Sequence, residues 1–123
     1  NQQSAPWGCL GTRINGANNS SIGGGLQNTT DIITDCNTAG IAAKICNDLI
    51  LGGKDDWFLP SREELYLMYQ NLHKNNLGNF NKSHYWSSTE HYKSNSWNFS
   101  FFNGDVYSGY KGYKNFVRAV RAF

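Results

Sequence analysis

The stretch Asp55-Asp56-Trp57-Phe58-Leu59-Pro60-Ser61-Arg62-Glu63-Glu64-Leu65 closes a short apolar run and opens a helix. Pro60 stops the extended segment, and Ser61 with Glu64 three residues on makes a capping box. The Ser61 hydroxyl accepts from the Glu64 amide while the Glu64 carboxylate reaches back. Leu65, Met68, Tyr69 and Leu72 follow at three- and four-residue spacing, which predicts one buried stripe and fraying from His73 to Gly78. Upstream, Ile41, Ala42, Ile45, Cys46, Leu49 and Ile50 predict another helical face that starts near Thr38 and closes at Gly52-Gly53. Downstream the period changes to two. Tyr85-Trp86-Ser87-Ser88 predicts a strand, and Trp97, Phe99 and Phe101 alternate with Asn98 and Ser100. Asn103-Gly104 predicts a tight type I′ hairpin turn, with Val106, Tyr107 and Tyr110 on the return strand. A Gly- and Lys-rich loop from Gly109 to Asn115 then leads to a closing strand over Phe116 to Phe123. Strand character over Trp7 to Ile14 and a loop through Gly25 precede all of this. The order is strand, helix, helix, antiparallel strands, so the fold class is α+β.

A chain of 123 residues suits one domain. Its charged fraction of 16% is low, and 16 Asn, 13 Gly and 11 Ser supply polarity of the turn-forming kind. No apolar run is long enough for a membrane span, so membrane insertion is not expected. Residues 1–6 read as a polar linker from an upstream region, which leaves 7–123 as the domain. Cys9, Cys36 and Cys46 match no zinc pattern. They allow either one disulfide or three small buried residues. If a bridge forms, Cys9 with Cys36 is the expected pair, because Cys46 lies on the core face of a helix.

Charge is split along the chain. Asn81 to Phe123 holds six basic residues and two acids, net +4, whereas Asn1 to Phe80 holds five basic and seven acidic, net −2. Twelve of the 18 aromatics also lie in the last third. Cations among aromatic strands suit a polyanionic partner. Ser87, Ser88, His84, His91 and Glu90 cluster in sequence, but adjacent strand residues point to opposite faces, so no catalytic triad is expected. Gly23-Gly24-Gly25 lacks the strand and the Lys-Ser/Thr of a phosphate loop.

The motifs Asp55 to Leu65, Tyr85-Trp86-Ser87-Ser88-Thr89-Glu90 and Val117-Arg118-Ala119-Val120-Arg121-Ala122-Phe123 together resemble the family of the C-terminal domain of the Legionella collagen-like adhesin. Trp7-Gly8-Cys9, Ile22 to Thr29 and Gly40 to Cys46 extend the resemblance over nearly the whole chain. It implies a C-type-lectin-like fold, with two helices flanking a twisted, mostly antiparallel sheet whose first and last strands pair. It also implies a secreted or cell-surface adhesin domain, carried as a homotrimer on a stalk and binding sulfated glycosaminoglycans. Formylglycine-generating enzymes of that fold use late cysteines, and none follows Cys46 here, so no enzyme and no cofactor are expected. The Glu-Pro-Asn and Trp-Asn-Asp signatures of calcium-dependent lectins are missing too, and Glu90 and Asp105 are too few carboxylates for calcium.

Lys93, Lys111 and Lys114, beside Gly and Asn in loops, are the expected glycan contacts, with Lys82 as a fourth. Arg118 and Arg121 sit three apart on a strand, so at most one faces outward, and Arg121 is the candidate; the other satisfies carbonyls or pairs with an acid. Tyr110 and Tyr113 are candidates for stacking on sugar rings. No nucleic-acid partner is expected. The alternatives are a diversified receptor-binding protein, since Asn, Ser, Tyr and His crowd His84 to Asn115, or a trimerising cap of a stalk.

Overall fold

A computed structural model describes residues 3–122. Among these residues it holds three α-helices and one five-stranded sheet. The strands are β1 (Gln3–Pro6), β2 (His84–Glu90), β3 (Asn95–Ser100), β4 (Val106–Tyr110) and β5 (Lys114–Val117), and the helices α1 (Gly25–Asp35), α2 (Ala42–Asp48) and α3 (Arg62–Asn71). Sheet order is β1-β5-β2-β3-β4. The first and last strands pair antiparallel, Gln3 opposite Val117 and Pro6 opposite Lys114. β2/β3 and β3/β4 are also antiparallel, and a single parallel bridge, Tyr85 to Phe116, joins β2 to β5.

Alternation along β2 and β5 builds a core on each side of the sheet. Trp86 and Val117 join Ile32 of α1 and Ala42, Ala43 and Cys46 of α2, together with Trp7 and Leu59. Their neighbours Tyr85 and Phe116 meet Leu65, Met68 and Tyr69 of α3 with Phe99 and Phe101. Burial pushes the Cys46 thiol far above its ordinary value. Cys9 and Cys36 form the disulfide, tying the loop after β1 to the end of α1.

The capping box on α3 is fully formed: Glu64 N donates to Ser61 Oγ and Ser61 N to Glu64 Oε1 at 2.7 Å. Glu64 does more than its local motif implies. It also accepts from Gly25 N at 3.1 Å and Gly23 N at 2.9 Å, so one carboxylate caps two helices. Gly25 is close enough that a Cβ there would lie 2.8 Å from Leu59 O and 2.9 Å from Ser61 N, which excludes a larger residue.

Several expectations are corrected. Gln3–Pro6, expected as linker, is strand β1, because its backbone completes the β5 edge. The expected first strand over Trp7 to Ile14 is a loop instead. Three helices stand where two were expected, α1 being the addition. Thr29 Oγ1 bonds both Gly25 O and Leu59 O, and Asn28 Nδ2 bonds Asn19 O at 2.7 Å, so tertiary contacts hold a helix of weak intrinsic propensity. α2 ends at Asp48 rather than at Gly52-Gly53, which form a turn inside the Leu51–Lys54 bridge. No type I′ turn forms at Asn103-Gly104. Only Gly104 of the pair has positive φ, 80°, and a five-residue loop, 101–105, joins β3 to β4. The closing strand is Lys114–Val117, after which Val120 makes an isolated bridge to Phe58.

Candidate functional site

Three chain segments meet at the Glu90 end of β2. The loop after β1 donates Gly8 N to Lys111 O at 3.3 Å and Gly11 N to Lys93 O at 2.9 Å, and Lys111 N donates to Ser94 O at 2.9 Å. These bonds clamp the loop at 8–14, the turn at 91–94 and the turn at 110–113 together through main chain alone. Lys114 lies three residues beyond Lys111, opposite Pro6 at the start of β5.

Glu90 sits under this junction with its side chain 2% exposed. Ile14 N donates to its carboxylate at 3.0 Å, and Lys111 Nζ binds the same oxygen at 2.7 Å. Lys111 Nζ also donates to Thr12 O at 3.1 Å and lies 4.7 Å from the centre of the Trp7 ring. Burial pulls its ammonium below the ordinary lysine range, while Glu90 pulls the other way. This corrects the expectation for Lys111. With its side chain 0% exposed, it cannot meet a soluble polyanion; it is a structural cation matched to a buried acid.

The remaining candidates divide. Lys93 and Lys114 are exposed, as are Tyr110 and Tyr113, whose rings lie 5.2 Å apart. No described carboxylate lies within ion-pair reach of either lysine. Lys82 is exposed too, but it precedes β2 and so lies at the far end of that strand, about 20 Å from the junction at ~3.3 Å per residue. Arg121 is corrected as a free cation. Its Nε and Nη2 grip both oxygens of Asp56, which holds the Asp56 carboxyl below the ordinary aspartate range, and its guanidinium lies 5.8 Å from the Trp57 ring centre. Arg118 donates to Gly78 O at 2.7 Å and packs on Phe80. Both fates expected for the inward arginine are thus realised, one in each residue.

Arg13 is the functional candidate that sequence reasoning missed. It lies in the acidic part of the chain, so a tally by thirds places it on the wrong side. In space its Nη1 reaches His91 O at 3.4 Å and its Nε lies 3.7 Å from Glu90. Arg13, Tyr92, Lys93 and Ser94 line an open concavity of about 340 Å³. Behind it, the His91 ring stacks between Tyr92, at 5.0 Å, and Trp97, at 4.1 Å, and Arg62 covers Trp97 at 5.0 Å.

Ser87, Ser88 and His84 of β2, and His91 just after it, are each engaged elsewhere. Ser87 Oγ donates to Trp97 O, Ser88 Oγ accepts from Asn28, and His84 and His91 reach Asn98 and Ser108. Among the described residues no three His, Cys, Asp or Glu side chains converge as a metal site requires. No helix among them is long and apolar enough to cross a membrane. A second, larger groove of about 840 Å³ is mainly apolar, with Leu26, Leu51, Trp57, Leu67 and Met68 among its lining.

Paired first and last strands and helices on both sides of a mostly antiparallel sheet define an α+β fold. The model of the Lcl C-terminal domain matches residues 7–121, and the chain belongs to that family. None of the curated proteins matches the chain.

Proposed function

We propose that this is a non-enzymatic, calcium-independent adhesin domain of C-type-lectin-like fold. It binds sulfated glycosaminoglycans as a trimer at the bacterial surface or after secretion. The observation that carries this reading is the rim at the Glu90 end of the sheet. There Lys93 is exposed with no described acid beside it, and Tyr110 and Tyr113 offer ring faces nearby; Lys114, at the start of β5 three residues beyond Lys111, is exposed and likewise has no described acid beside it. Family membership supports an adhesin role, and a disulfide suits an exported protein. Fixed sulfates carry condensed counterions, so by analogy with nucleic acids each lysine that displaces one adds affinity that falls with salt. A few cations per domain give weak binding, and three copies on one axis raise it by roughly 10² to 10⁴ through effective concentration.

Retention of the domain on immobilised heparin at low salt, unaffected by EDTA, is the expected result, with Lys93→Glu plus Lys114→Glu eluting far earlier. Retention unchanged in that variant refutes this surface. A monomer mass by light scattering refutes the trimer. A diversified receptor-binding role has its own support in β4, where Val106, Tyr107, Ser108 and Tyr110 are all exposed on an outer strand.

A further inference from the structure

We propose that Arg13, Tyr92 and Lys93 form a subsite for one sulfated sugar residue, and that buried Lys111 keeps this subsite cationic without touching the ligand. The inference rests on the glycan-binding reading above and names the place where a sulfate docks.

The argument is one of local charge. Glu90 is the acid nearest to Arg13, and left alone it would cancel that guanidinium. One of its oxygens, Oε2, is held by Lys111 Nζ at 2.7 Å, whereas Arg13 Nε stands 3.7 Å from the other, Oε1, a full ångström farther. Lys111 and Glu90 are both buried and neutralise each other, so the two exposed cations keep their charge. Arg13, with its side chain 62% exposed, and Lys93, also exposed, therefore present about two positive charges to one concavity. Counted by sequence alone, Lys111 adds to a binding surface. In the fold it acts as a counter-charge.

The shape suits a ring carrying an anion. A concavity of about 340 Å³ lies at the small end of ligand pockets, which run from ~300 to ~1,000 Å³. Tyr92, 59% exposed and stacked on His91, gives a rigid aromatic wall against which a pyranose face can lie. The backbone beneath is fixed by Gly11 N to Lys93 O at 2.9 Å, so the lysine stem starts from a defined position. Arg13 is oriented by its contact with His91 O, leaving its other donors for the planar, two-point recognition that suits an oxyanion.

The test compares wild type, Arg13→Gln, Lys93→Gln, their double variant, and Lys111→Met with Glu90→Gln. The probes are a sulfated heparin-derived disaccharide, its desulfated counterpart and a heparin column. Each single variant should weaken the sulfated disaccharide roughly two- to fivefold, the range for exposed ion pairs. The double variant should lower the dependence of heparin affinity on salt by about two counterions. The Lys111→Met, Glu90→Gln protein removes a cation yet should keep wild-type affinity, because the local net charge is unchanged. If wild type does not bind heparin at all, the glycan reading itself fails. If wild type binds and the Arg13, Lys93 double variant binds equally, the subsite is refuted while the glycan reading stands. Equal affinity for the desulfated disaccharide refutes the sulfate assignment. Loss of heparin affinity in a folded Lys111→Met, Glu90→Gln protein refutes the counter-charge role. Arg13 and Lys93 are exposed, so their variants fold and the proposal is decided even if the buried pair tolerates no change.

Discussion

Replacing Lys111 by Met gives the sharpest stability test, because it removes one half of a buried ion pair and keeps the volume of the stem. Glu90, 2% exposed, would keep its bonds from Ile14 N and the distant Arg13 at 3.7 Å, but lose the ammonium at 2.7 Å. Breaking such a pair from one side costs about 3–5 kcal/mol. The amide bonds that remain favour the lower end, so about 3 kcal/mol is expected. For a domain of this size each kcal/mol moves Tm by roughly 4 °C, which puts the loss near 12 °C. Adding Glu90→Gln removes the stranded charge and keeps an acceptor for Ile14 N, so the double variant should return to within about 1.5 kcal/mol of wild type. Urea denaturation at neutral pH, followed by tryptophan fluorescence with the m-value checked for constancy, measures both. Lys111→Met within about 1 kcal/mol of wild type, or a double variant no more stable than the single, refutes the buried pair.

Three further outcomes are expected. Glu64→Ala strips acceptors from the amides of Gly23, Gly25 and Ser61 and should cost about 2–3 kcal/mol in chemical denaturation, more than a single lost cap; a cost below about 1 kcal/mol contradicts the shared cap. Ser96→Ala deletes a buried hydroxyl that has no partner among the described residues, so Tm should hold or rise, and a fall of more than about 4 °C shows that the hydroxyl is bonded. Asp56 has a folded pKa depressed by Arg121, so the pair's contribution is present above the unfolded value near ~3.9 and is lost only as pH falls through the lower folded value. Carbon-detected NMR should place the Asp56 midpoint below ~3.9 and move it up in Arg121→Gln; a midpoint at or above that value contradicts the pairing.

What could be read in the sequence was what local chemistry decides. Ser61 and Glu64 specify a cap within four residues, and the alternation around Trp97 and Phe99 specifies a strand with no distant partner needed. Helix α1 could not be read this way. Gly25, Asn28, Thr29 and Thr30 are poor helix formers, and the groups that hold them, Glu64, Leu59 and Asn19, come from other segments. Lys111 misled for the same reason. Its neighbours Tyr110 and Gly112 suggest a loop, whereas its burial depends on Glu90, 21 residues earlier, and on Trp7 near the other end of the chain. Arg13 was hidden by the opposite error: a cation in an acidic region is brought to the rim by main-chain bonds that leave no sequence signature.

Those main-chain bonds have a consequence for how the rim can change. Gly8, Gly11, Lys93, Ser94 and Lys111 are joined there by amides and carbonyls, which every residue but proline carries. Positions 92, 93, 110 and 113 can therefore exchange their side chains without loosening the junction that displays them. The chemistry of this surface is free to drift while its thermodynamic foundation stays put.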